Sequence, residues 1–417
     1  MTPTTVVKAA DAAQFLSFVP RMLGYRPAQS LVVIPFEGAR SLGAMRFDLP
    51  DGDGESVDRV AATVTGMVCR LPQADAVAAI AYSGARFDDG RMPHQDLLAA
   101  LERRADACGL RVTDLLCVAA DAWGSFLDRD RPPGGRSLDH LEWVGPGGIP
   151  EPHGDQASGA ELPDVSPDEI ERVAKAMTAL ALAVEVLCGP DAAGGTAGST
   201  AWPDPAPTDS HGPASDLGPV PAPVSGTAED EASVADASTR VDPGALAAVC
   251  RFDDLPGFFE DALARPPADA DAYDTAALVW CLARPSLRDV ALVQWSGNLT
   301  QGDEAFDAQL RWESGEEYPA HLAMRMWGEG DPPQVSRLET ALGLSRHAAA
   351  LAPRESQPGA LAMCAWLAWA LGRSTHAAAY AQRACDIEPE HGLSQIVLSF
   401  VNAGHLPDWA FRRASAR

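Results

Sequence analysis

Long apolar runs are missing from this chain of 417 residues. No segment reaches the roughly 20 apolar residues that a membrane-spanning helix requires. The first turns, with Lys8 and Asp11, lack the continuous apolar stretch of a secretion signal. The expectation is a soluble, cytoplasmic protein with no membrane partner. Basic charge is also scarce: 32 Lys and Arg oppose 58 Asp and Glu, a formal net charge of −26. Such a field repels phosphate backbones and anionic lipid, so no nucleic-acid partner is expected. The eight cysteines (Cys69, Cys108, Cys117, Cys188, Cys250, Cys281, Cys364 and Cys385) form no C-x-x-C pair and no zinc-like spacing. Most read as buried thiols acting as small hydrophobes, and neither a metal nor a cofactor is expected. Also missing are G-x-G-x-x-G, the Walker loop, H-E-x-x-H and G-x-S-x-G, which takes away the motifs tied most tightly to a mechanism.

What is present is a 46% hydrophobic composition, enough for packed cores in two or three domains. Residues 9–23 carry Phe15, Leu16, Phe18, Val19, Met22 and Leu23 at helical spacing. Pro20 should end or kink that helix, and Gly24 with Pro27 forces an exit. Residues 31–36 and 42–49 are β-rich runs around a short polar loop, suited to an antiparallel hairpin. A helix over 57–70, a strand over 75–82, a helix over 96–108 and a strand over 111–120 follow. This alternation predicts a layered α/β domain with a mixed sheet. Ser166-Pro-Asp-Glu169 opens a further helix to Cys188, so the α/β domain with this trailing helix is placed at 1–188.

The opening Phe18-Val-Pro-Arg-Met-Leu-Gly-Tyr-Arg-Pro-Ala-Gln-Ser30 and its apolar continuation resemble a known family. So do Arg46-Phe-Asp-Leu-Pro50 and Val112-Thr-Asp-Leu-Leu-Cys-Val118. On these residues the chain resembles the actinobacterial domain of unknown function 4192. The resemblance implies a fold for the first 160 residues or so and no reaction. Members of that family often carry cysteines after the aromatic segment, where this chain has Asp128, Asp130 and Pro132-Pro-Gly-Gly135, so no shared metal or redox role is carried over.

Residues 189–240 are dominated by Ala, Gly, Pro, Ser, Thr and acidic side chains, too little apolar surface to order, and read as a disordered acidic linker. From 241 to 417 the pattern is all-α. Residues 361–371, Gly372, 376–387 and Pro389 resemble one tetratricopeptide repeat, with Ala365, Ala377 and Ala384 where two helices approach. Ala341, Ala348, Leu351 and Pro353 repeat the second half of that spacing, but the region 324–329 departs from it. Two degenerate repeats with a capping helix over 393–401 are expected.

Three places invite chemistry. Tyr82, Ser83 and Arg86 follow the third strand and Trp123 follows the fourth, where open α/β sheets bind ligands, so these four form a candidate small-molecule site. Asp51-Gly-Asp-Gly-Glu55 looks like a calcium loop but has Ala62 at the twelfth position, and reads as an acidic helix start. His140, His153, Glu142 and Glu151 lie in a Gly/Pro-rich stretch and read as solvated loop residues. In the helical half Trp369 and Tyr380, beside Arg373 and Arg383, are candidates to receive a protein partner or the acidic linker, although aromatics at helical spacing are more often core. Two function classes follow: a non-enzymatic protein-interaction or regulatory protein, or a small-molecule-binding or enzymatic α/β domain with a regulatory helical module.

Overall fold

The computed structural model describes residues 8–50, 54–87, 91–143, 145, 148–189 and 240–412. Its N-terminal part is a mixed α/β layer structure: α1 (Ala12–Leu23), β1 (Ser30–Glu37), β2 (Arg40–Ser41), β3 (Met45–Asp48), α2 (Gly54–Cys69), β4 (Ala76–Tyr82), α3 (Gln95–Ala107), β5 (Arg111–Val118) and β6 (Trp123–Ser125). The sheet runs β2-β1-β4-β5-β6, with β3 also paired to β1. Only β4 and β5 are parallel.

Alternation along the strands sets the layers. Leu31, Val33, Val77, Ala79, Ala81, Leu115 and Cys117 face α2 and α3. Val32, Ile34, Ile80, Tyr82, Leu116 and Trp123 face α1. Asp11 caps α1 by accepting from Gln14 N–H (2.9 Å), and Gly24 ends it at φ 82°. Pro20 does not break α1. It lies in the last turn, and its carbonyl takes the Gly24 N–H (2.9 Å). The expected second hairpin strand is divided into β2 and β3, because Gly43 at φ 123° interrupts it.

The rest of the chain is helical: α4 (Pro167–Cys188), α5 (Pro243–Cys250), α6 (Leu255–Ala264), α7 (Ala272–Leu282), α8 (Pro285–Ser296), α9 (Leu299–Glu313), α10 (Ala320–Met326), α11 (Val335–Leu351), α12 (Gln357–Ala370), α13 (Ser374–Cys385) and α14 (Gly392–Asn402). Ser166 and Glu169 close a capping box at α4, as their spacing predicts. The stripe Leu180, Ala183 and Val184 then packs with α5 and α7, not on the sheet. The helix read as trailing the α/β domain thus contributes to the helical core. Residues 190–239, most of the expected linker, lie outside the described residues, as do Asp51 to Asp53 of the acidic loop.

The two halves meet through a few polar contacts. Arg46 Nη1 donates to Thr375 Oγ1 (3.1 Å), and His376 Nε2 meets the Ser158 carbonyl (3.1 Å). Arg70 pairs with Asp408 (2.8 Å) and lies 4.0 Å over the Phe411 ring. Residues 149–156 strap the start of the sheet: Arg21 donates to the Ile149 and Pro150 carbonyls, Arg26 to the Pro152 carbonyl (2.9 Å), and Gln156 exchanges two hydrogen bonds with the Ala28 backbone. Arg21 and Arg26 hold their own chain.

Candidate functional site at the ends of β4 and β5

The chain leaves β4 at Ser83, whose N–H donates to the Val118 carbonyl at the end of β5 (2.9 Å). The Ser83 hydroxyl lies 3.0 Å from His94 Nε2. Ser83 Oγ also accepts the Ala85 N–H (3.2 Å), which leaves its own proton for the imidazole. Burial pushes the His94 pKa below its ordinary value, so the ring is neutral near pH 7 and able to accept that proton.

Backbone strain gathers here. His94, preceding α3, and Gln29, preceding β1, are the two non-glycine residues with positive φ among the described residues, at 53° and 46°. Gln29 Oε1 accepts the Gly84 N–H, next to Ser83. Left-handed side-chain-bearing residues cost about 1–3 kcal/mol each and persist where surrounding structure holds them.

The rim is tied together by backbone. Ala120 N–H donates to the Ala85 carbonyl (2.9 Å) and Phe87 N–H to Asp121 Oδ1 (3.2 Å). Arg131 reaches Met92 Sδ (3.2 Å) and the Ser125 carbonyl (3.4 Å), with its guanidinium 5.8 Å from the Phe87 ring centre. Its buried Nε–H has no hydrogen-bond partner among the described residues. Gly135 (φ 76°) allows this closure, since an added Cβ would lie 2.7 Å from that of Ala122.

The four residues expected to form one ligand cradle are divided between two faces. Tyr82 and Ser83 are consecutive, so they point to opposite sides of the sheet. Tyr82 is buried against α1 with an unpartnered hydroxyl, and burial holds its phenol far above the usual range. Trp123 shares that core, donates Nε1–H to the Ser137 carbonyl (3.1 Å) and lies under Arg136. Both side chains belong to the α1-facing core. Arg86 is exposed in the loop after Ser83. His94 escaped sequence reading because it lies eleven positions beyond Ser83; its only local signal is a Pro-His pair ahead of a helix.

In the helical half Trp369 and Tyr380 are completely buried and present nothing to a partner. Trp369 donates to the His405 carbonyl (2.8 Å) and packs 4.8 Å from the Phe400 ring. Arg373 is exposed but paired with Glu339, and Arg383 is exposed. Glu151 pairs with Arg21 (3.5 Å), and no group of three or more His, Cys, Asp or Glu among the described residues is placed to hold a metal. No helix among them is long and apolar enough to cross a membrane.

Residues 13–142 match the model of a family described as Domain of unknown function (DUF4192). The DUF4192 span covers α1, the whole sheet and both Ser83 and His94. No curated protein and no solved structure matches the chain.

Proposed function

We propose that the DUF4192 span binds a small polar molecule at the ends of β4 and β5, with the helical half as its structural or regulatory module. The observation that carries this reading is the 3.0 Å Ser83–His94 pair, in which His94 is itself left-handed, with left-handed Gln29 bound to the adjacent Gly84. A neutral imidazole against a hydroxyl is the arrangement that makes serine a hydrogen-bonding anchor or a base-activated nucleophile.

The test is thermal-shift screening of the full chain against nucleotides, metabolites and divalent ions. A ligand at a hundred times its dissociation constant adds about 2.7 kcal/mol. Stabilisation of the parent that disappears in both Ser83→Ala and His94→Phe is expected. Hits that survive both substitutions, or silence across a broad library, would overturn the reading.

A second reading keeps the chain as a non-enzymatic, cytoplasmic interaction protein. It is favoured by the exposed apolar side chains Leu299, Leu310, Met324 and Val335 on the helical half, and by α12 and α13, whose turn at Gly372 (φ 76°) supports the tetratricopeptide-like comparison. Recovery of one stoichiometric protein by the full chain, lost on Leu310→Glu, would favour it.

A further inference from the structure

Of the eight cysteines, Cys117, Cys281 and Cys364 are buried and fill core positions. Cys69 and Cys108 do neither. Cys69 is the last residue of α2, and Cys108 is the C-cap of α3, ahead of Gly109 at φ 73°. The two helices pack side by side on one face of the sheet. Because α2 returns the chain to β4 and α3 returns it to the parallel strand β5, both end at the same edge. Both thiols are exposed there, at the ends of adjacent helices and near enough that the Cys108 side chain raises the Cys69 pKa. A core role does not explain two exposed thiols at neighbouring helix ends.

We propose that Cys69 and Cys108 are a thiol–disulfide site that joins the ends of α2 and α3 when a low-molecular-weight disulfide is supplied. In the first step the Cys108 thiolate attacks one sulfur of the small disulfide and forms a mixed disulfide. One small thiolate leaves and takes up the proton that Cys108 lost. In the second step Cys69, deprotonated, attacks Cys108 Sγ and expels the other small thiolate, which is likewise protonated. The two cysteines together lose two electrons and two protons, and the small disulfide is reduced to two thiols. Burial and the neighbouring thiol raise the Cys69 pKa, so the second step quickens with rising pH.

The position gives the bond a consequence. Arg70, the residue after Cys69, carries the contact to Asp408 and Phe411 in the helical half. Closing the disulfide holds the end of α2 from which that arm extends, so the oxidation state reaches the contact between the halves.

The experiment treats the full native chain with oxidised glutathione and maps disulfides by mass spectrometry. A linked Cys69–Cys108 peptide, removed by dithiothreitol and still formed in the Cys188→Ser/Cys250→Ser double variant, is the expected result. Cys69→Ser and Cys108→Ser should each leave a single glutathione adduct on the remaining partner. A Cys69–Cys108 link seen only in denaturant, both thiols staying free while Cys188 or Cys250 is oxidised, or either thiol joined to a different cysteine, would overturn the proposal. None of these readouts depends on Ser83 or His94.

Discussion

His391 shows how much one side chain can carry. Its Nδ1 caps α14 by accepting the Ser394 N–H (3.4 Å) and lies 3.1 Å from Ser394 Oγ. Burial, assisted by the charge of Arg288, pushes its pKa from an ordinary 6.5 down to about 4. The folded imidazole therefore stays neutral while the unfolded one protonates. The associated stability is complete above pH 6.5 and falls as pH drops toward 4, by about 3 kcal/mol in all. Denaturant unfolding at stepped pH should show this loss, and His391→Asn, which can still cap but does not titrate, should flatten it. Nothing local distinguishes His391 from the exposed histidines, because the charge that acts on it, Arg288 of α8, is remote in the chain. Trp369 and Tyr380 illustrate the same limit, since helical spacing marks them as one-sided without saying which side is buried.

Among elements, α12 is the most enclosed, with every residue from Pro358 to Ala370 buried. Its apolar run reads directly from the sequence, but the helix it crosses does not. Gly359 lies against the end of α7, where a Cβ would come 2.2 Å from the Leu282 carbonyl oxygen and 2.8 Å from Ala283 Cα. Backbone cannot move aside as a side chain does, so Gly359→Ala should destabilise by about 1–3 kcal/mol in chemical denaturation. A neutral result would mean that the α7–α12 crossing is looser than described. The short α10 has a comparable cause: the chain turns at Gly328 (φ 83°), where a Cβ would meet Pro407 and Trp369 at 2.6–2.7 Å. That close approach explains why the repeat-like spacing fails around residues 324–329. Apart from β6, the strands and helices of the DUF4192 span were legible within a few residues, because alternation and capping act locally. The division of the second strand at Gly43 and the continuation of α1 through Pro20 were not.

At the scale of the whole molecule, the Arg70 contact between the halves has little burial to strengthen it. Arg70 and Asp408 are both partly exposed, so their ion pair and the Phe411 contact together are worth about 1 kcal/mol. Arg70→Ala should lower the denaturation midpoint slightly with an unchanged slope, and should raise hydrogen exchange in α2 and around residues 408–411. A loss several times larger would show that the halves depend on this contact for folding. The chain of amino acids alone determined the mixed α/β start, the all-helical remainder, and the approximate bounds of most elements of the α/β part and of the last three helices, since these follow from period, capping and turn chemistry between near neighbours. Only the tertiary structure decided that His94 rather than Trp123 meets Ser83, that α4 packs with the helices, and that the ends of α2 and α3 bring Cys69 near Cys108. Each of those is a juxtaposition of distant residues, set by how the sheet and its helices pack, and no local pattern encodes it.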